Sequence, residues 1–220
     1  MKLQNNLYVY PESGMLDCNT YVITGAPGII IDPGSPQNID VLLKDMRRDG
    51  IDPGNIGTVV NTHLHLDHSW GNTAFKEATG ARIMLHPRQQ EYYPVTVDQT
   101  ARFFGLEPPS FTGDGCLEDS VINSGDMEIR LLPSPGHSPD SICYYCPGER
   151  FLICGDVLFA RNTGRVDLPG GNADQLRKSI GELARLDIAS LLPGHMSPVR
   201  GEKDVKENFT YIRENVLRWL

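Results

Sequence analysis

Residues 56–72 read IGTVVNTHLHLDHSWGN. An apolar, largely β-branched run, IGTVV, leads straight into His63, Leu64, His65, Leu66, Asp67 and His68. The chain has six histidines in 220 residues, and three of them stand here. Imidazole and carboxylate are the donors that zinc, iron and manganese accept. Along an extended segment, alternation sends His63 and His65 to one side and Leu64 and Leu66 to the other. Asp67 and His68 follow in a turn, where their side chains can converge on the same point. One strand end can therefore supply ligands to two metal ions.

Three further candidates occupy similar places. His137 lies in LLPSPGHSPDS, Asp156 in FLICGDVLF and His195 in SLLPGHMSP. Each follows an apolar, strand-like run and is flanked by Gly or Pro, as a tight loop leaving a strand requires. A histidine satisfied by hydrogen bonds in a core accounts for any one of these positions, but poorly for five of them at strand ends. His86, in RIMLHPRQQ, is read as a structural residue at a strand end. Asp32, in IIIDPG, is read as a support for a ligand, because ligating imidazoles usually donate their second N–H to a carboxylate or carbonyl.

A length of 220 residues with 40% hydrophobic content suits one large globular domain spanning 1–220 or two small ones. The net charge of −8 argues against a nucleic-acid phosphate surface as the main partner. No apolar run is long enough to span a membrane, and MKLQNNLYVYPESG carries no secretory apolar region. A cytoplasmic location without a membrane partner is expected. Of the five cysteines, Cys143 and Cys146 form a C-x-x-C inside the strand-like ICYYC. Their odd separation sends them to opposite faces, and no second pair exists to complete a zinc cage.

The order of elements repeats. LYVY, NTYVIT and GIIIDPG are short strands; 37–49 has helical spacing through Ile39, Leu42, Leu43 and Met46, with Gly50 as its stop. IGTVVNTH is a strand, 71–80 a short helix and ARIMLH a strand. Residues 87–125, rich in Pro, Gly and aromatics, read as an irregular, lid-like insertion. MEIRLLPSPGH, DSICYYC and RFLICGDVLF are strands, followed by a helix over 172–186 capped by Asn172 and the strand IASLLPGH. A final helix over 202–219 places Val205, Phe209, Ile212, Val216 and Trp219 on one face. Two sheets packed face to face with helices outside, an α/β architecture, would bring the strand-end ligands to one edge.

The succession H-x-H-x-D-H, P-G-H, G-D and P-G-H closely resembles the metallo-β-lactamase fold superfamily, from IIIDPG to the P-G-H at 193–195. CGDVLFARNTGRVDLPGGNADQLRKSIGEL, starting at Cys154, resembles its glyoxalase II and related single-domain hydrolase branch. The resemblance implies a single domain over 1–220, built as a four-layer αββα sandwich, and two divalent metal ions, zinc first, with iron or manganese as alternatives. His63, His65 and His137 would hold one ion, and Asp67, His68 and His195 the other. Asp156 would bridge both together with a hydroxide, which gives Asp67 and Asp156 catalytic roles as well. The implied reaction is hydrolysis of a small thioester or ester, of the hydroxyacylglutathione hydrolase type. The implied partner is a small-molecule substrate, and a homo-oligomer is compatible with this reading.

The chain departs from that family at several points. Ser69, Trp70, Gly71 and Asn72 stand where many relatives have Gly-Gly, and Trp70 is expected to narrow the substrate pocket. Asp140 stands where glycine is common. Residues 196–220 have room for about one helix, short of the helical domain with which glyoxalase II enzymes hold glutathione. Arg165 is expected either to grip a substrate carboxylate with its fork or to form a salt bridge beside the G-D loop. Gly164, Arg165, Val166 and Asp167 also resemble persulfide dioxygenases, in which a single iron uses the positions of His63, His137 and Asp156. Lactonases offer a further hydrolytic alternative. The β-lactamase branch does not use a bridging carboxylate at the position of Asp156.

Overall fold

Short β-branched runs separated by Gly, Pro and Asn fold into two sheets, seen in a computed structural model that describes residues 1–220. The first half contributes β1 (Lys2–Gln4), β2 (Leu7–Tyr10), β3 (Thr20–Ile23), β4 (Gly28–Ile31), α1 (Ile39–Arg48), β5 (Ile56–Val60), α2 (Leu66–Ser69), α3 (Asn72–Thr79) and β6 (Arg82–Leu85). The 87–125 segment contributes α4 (Pro87–Tyr93), α5 (Thr100–Phe103), β7 (Gly115–Cys116) and β8 (Val121–Ser124). The second half adds β9 (Met127–Pro133), β10 (Ile142–Cys146), β11 (Phe151–Gly155), β12 (Leu158–Phe159), β13 (Asn162–Thr163), α6 (Ala173–Leu183), β14 (Ser190–Pro193), β15 (Val199–Arg200) and α7 (Glu202–Asn215). One sheet has the order β1-β2-β3-β4-β5-β6-β7, the other β15-β14-β11-β10-β9-β8, and β12 and β13 pair separately.

Strand alternation explains the layering. Ile29 and Ile31 of β4 meet Tyr144, Phe151, Ile153 and Leu192 of the opposite sheet, whereas Ile30 points out to Leu42, Met46 and Phe75 of α1 and α3. On the far side, Leu152, Cys154 and Leu191 pack beneath Leu176, Ile180, Val205 and Ile212 of α6 and α7. The result is the expected αββα sandwich. Each fully buried side chain of this kind contributes roughly 1.5–3 kcal/mol. Cys143 faces the outer layer and Cys146 the layer between the sheets, so the C-x-x-C is split as its spacing predicts.

Strand direction puts the site at one edge. β4 and β5 are parallel, and β11 and β14 are parallel. β10 runs antiparallel to both β9 and β11, so β9 shares the direction of β11. Asp32, the 61–68 segment, His137, Asp156 and His195 all lie just beyond the carboxyl ends of these strands, where open α/β sheets keep their ligands. Hydrogen bonds lock the two sheets there. Ile142 N donates to Thr62 O at 2.7 Å, and the hydroxyls of Tyr144 and Tyr21 donate to Asn61 O and Pro193 O at 2.8 and 2.7 Å.

Two expectations are corrected. Residues 87–103 are helical rather than irregular: His86 caps α4 through a bond from Arg88 N at 3.1 Å, and Pro87 sits at the first helical position, where it lacks nothing. Pro94 lacks an N–H, and the chain widens into a π-helical stretch over Pro94–Gln99 before α5. At the other end, α7 stops at Asn215 and gives way to a 3₁₀ turn, Leu217–Trp219. That change of pitch breaks the periodicity, and Trp219 lies 80% exposed instead of continuing the apolar face. No helix is long and apolar enough to cross a membrane.

Candidate metal centre

β5 ends at Val60, and the chain then runs extended through His63 and His65 before turning into α2. Leu64 and Leu66 are buried, which fixes the opposite side of this segment toward the cluster. Asp67 and His68 fall in the single turn of α2, which carries both side chains toward the same point. Leu64 N–H donates to the buried carboxylate of Asp140 at 3.0 Å, so the 137–141 loop holds the middle of the motif.

All seven candidate ligands meet at this edge. His65 Nδ1 lies 3.0 Å from Nε2 of His63 and 3.0 Å from Nε2 of His137, forming one compact trio. Asp67, His68 and His195 form a second: Asp67 Oδ2 lies 3.2 Å from His195 Nε2 and 3.9 Å from His68 Nε2. Asp156 stands between the two. Its Oδ1 is 3.3 Å from His68 Nε2, and its Oδ2 is 3.5 Å from His195 Nε2 and 3.7 Å from His137 Nε2.

Four of the five outward ring nitrogens, those of His63, His68, His137 and His195, are held by a second layer of residues, and His65 Nε2 is buried without a partner. Asp32 accepts at 2.9 Å from His68 Nδ1, as the sequence suggested. The Thr62 hydroxyl donates to Asp32 Oδ2 at 2.6 Å, which leaves its lone pair for His63 Nδ1–H at 3.2 Å. His137 Nδ1–H donates to Arg165 O at 2.8 Å. His195 Nδ1 meets Glu12 Oε2 at 2.7 Å. These bonds imply tautomers that aim the inner nitrogen lone pairs at the cluster. Sequence reading missed Thr62, Glu12 and the role of Asp140. Only Thr62, adjacent to the motif, carried any local signal.

Electrostatics divide the two trios. Burial, reinforced by the neighbouring histidines, pushes His63 well below its ordinary value. Burial also lowers His137, and it carries His65 to about 3. These imidazoles stay neutral, the state a metal ligand needs. Burial opposes charge on His195, but the Asp67 hydrogen bond and Asp156 outweigh it and lift the ring to about 9. Burial likewise opposes charge on Asp156, and His68, His137 and His195 overcome it and hold the carboxyl below the usual range.

The donor set fits divalent cations. His68 Nε2 and Asp156 Oδ1 are buried and form no well-aligned hydrogen bond although they lie 3.3 Å apart, a spacing that suits two ligands on one ion. Buried polar atoms left without a hydrogen bond are costly, so the arrangement calls for a cation. Gly194 clears the space: a Cβ there would strike Asp156 Oδ1 and come within 2.6 Å of His68 Cε1.

A cavity of about 420 Å³ opens onto the cluster. Arg165 lines it, but its Nε and Nη2 each lie 2.6 Å from a carboxylate oxygen of Asp167. The fork expected to grip a substrate carboxylate is thus already occupied. Trp70 does not line the cavity; it follows α2 and packs against the outer apolar layer of the first sheet.

Residues 13–195 match the family model of the metallo-beta-lactamase superfamily. A probable metallo-hydrolase of Methanocaldococcus jannaschii is 32% identical over 89% of this chain and 93% of its own length. A hydroxyacylglutathione hydrolase of Anaeromyxobacter dehalogenans is 29% identical over 81% of this chain and 61% of its own length. Among solved structures, TTHA1623 in a di-iron-bound form superposes with a TM-score of 0.72 at 30% identity, covering 87% of this chain and 94% of that one. The BLEG-1 B3 metallo-beta-lactamase superposes at 0.77 with 24% identity over 95% and 97%, a likeness of fold. The chain belongs to the metallo-beta-lactamase superfamily, and its relatives include metallo-hydrolases.

Proposed function

We propose that this protein is a dinuclear metal-dependent hydrolase of small thioesters or esters, the bond class cleaved by hydroxyacylglutathione hydrolases. The observation that carries the reading is the pair of compact donor trios joined by Asp156. His63, His65 and His137 would hold one divalent ion, and Asp67, His68 and His195 the other, with Asp156 shared. When bound, such a pair acidifies a shared water and polarises a carbonyl.

The chain's own residues prepare that chemistry. Asp32, Thr62, Arg165 O and Glu12 fix the rings of His68, His63, His137 and His195, so these four need not reorient as charge develops. Zinc is the first expectation; iron is supported by the di-iron form of a relative at 30% identity. The hydroxyacylglutathione hydrolase among the relatives supports the thioester class. A mononuclear iron site at His63, His137 and Asp156 is the weaker reading, because His65 Nδ1 sits 3.0 Å from both histidines and completes a three-imidazole set.

The deciding experiment loads the protein with metal, counts ions per chain, and assays a thioester and a glutathione persulfide side by side. Two ions and thioester cleavage support the proposal. One iron with oxygen uptake on the persulfide, and no thioester cleavage, overturns it.

A further inference from the structure

The wall of the cavity outside the metal ligands is mostly apolar. Leu16, Leu66, Phe104, Phe159 and Leu168 line it, together with two threonines and Arg165. Arg165 is the one charged side chain of that wall, and Asp167 already pairs with it. A substrate tail bearing a carboxylate or ammonium group finds no free counter-charge there. An apolar tail finds side chains that water solvates poorly.

Two of these residues are held open to solvent at a cost. Leu16 is 37% exposed and Phe104 49% exposed, and their neighbours Met15 and Phe103 are exposed as well. Leu16 also adopts a φ of +59°, in the left-handed region that a branched side chain enters unfavourably. Glycine or asparagine would suit that backbone better, and either would remove the apolar surface. Strained residues of this kind cluster at ligand clamps. A volume of about 420 Å³ lies within the range of small-ligand pockets, ~300–1,000 Å³.

We infer that this wall is the binding site for an uncharged alkyl or aryl group of the substrate, with Leu16 and Phe104 clamping it at the mouth. The inference rests on the hydrolase reading of the adjacent cluster and narrows its substrate class to apolar thioesters or esters. The cavity is continuous with His65, Asp67, His137, Asp156 and His195, so a group seated on this wall leaves its carbonyl facing the ligands.

The test uses methyl ketones from 2-butanone to 2-decanone, which present a carbonyl and an alkyl chain but are not hydrolysed. Their binding to the metal-loaded protein is followed by calorimetry. Affinity should rise about four-fold for each added methylene until the wall is covered. Phe104→Ser and Leu16→Gly should each flatten that gradient. Leu16→Gly should not lower the melting temperature, because it relieves the φ of +59°. That separates a binding role from a structural one. Affinity independent of chain length, or a gradient that survives both substitutions, overturns the inference. The parent reading fails separately, through the absence of thioester cleavage, since the ketone series does not depend on turnover. Cleavage of acetyl and octanoyl thioesters at equal kcat/KM would keep the hydrolase and remove the apolar site.

Discussion

Asp32 and His68 meet through a buried 2.9 Å contact between Oδ2 and Nδ1, across 36 residues of sequence. The same carboxylate accepts from Thr62 N at 2.7 Å and from the Thr62 hydroxyl at 2.6 Å. One side chain thus orients a histidine of each trio, His68 directly and His63 through Thr62. Asp32→Asn should weaken metal binding roughly 10–100-fold. Competition with a chromophoric chelator measures this, and unchanged affinity would show that the rings are aimed by packing alone.

Asp156 touches both trios. Asp156→Ala is expected to remove at least one ion per chain and to lower hydrolysis roughly 10²–10³-fold, the scale of losing a preorganised electrostatic group. Metal analysis on the same sample as the assay checks both effects. A variant with full metal content and activity would remove the bridging role.

Chelation should abolish hydrolysis and lower the melting temperature, and added zinc, manganese or iron should restore both. A ligand at 100 times its dissociation constant stabilises by about 2.7 kcal/mol. The effect should depend on pH. Against the cost of burial, Asp67 and Asp156 lift His195 to about 9, so protons would compete with an ion at the second trio. Affinity at that trio should strengthen as pH rises toward 9 and weaken as pH falls. A pH-independent affinity would be the contrary outcome.

Asp140 sits fully buried, and burial lifts its carboxyl to about 6. The unfolded carboxyl titrates near ~3.9. The folded chain therefore takes up a proton between about pH 6 and pH 4 that the unfolded chain does not, and Asp140 costs stability above that window. The cost amounts to about 3 kcal/mol at neutral pH. Asp140→Asn should gain on the wild type as pH rises from 4 to 7 and should show no such gain at pH 4. Chemical denaturation at both pH values would reveal a constant difference if the carboxyl were not the cause.

Arg165→Ala should affect acidic and neutral thioesters alike, with metal content unchanged, because the guanidinium is engaged by Asp167. A KM increase confined to the acidic substrate would mean that Arg165 exchanges Asp167 for a substrate carboxylate.

The candidate cluster was legible because each member follows a strand, and His137, Asp156 and His195 stand in loops marked by Gly or Pro. His63, His65, Asp67 and His68 could be grouped from spacing alone, and Asn172 as the cap of α6 was equally local, with its Oδ1 accepting from Gln175 N at 3.0 Å. The helical character of 87–103 was obscured by composition: prolines that suggest a loop sit at a helix start and at a widened turn, where their missing N–H groups are tolerated.

Periodicity and local chemistry are properties of neighbouring residues, so the sequence by itself determined the two-sheet architecture, the seven ligand candidates and the supporting role of Asp32. Contacts between distant segments obey no such spacing. That Glu12 reaches His195 across 183 residues, that Asp140 holds Leu64, that Asp167 occupies the Arg165 fork, and that Trp70 turns away from the cavity were decided only by the tertiary structure. The physical reason is that each depends on where packing between the sheets and their outer helices places a side chain in three dimensions.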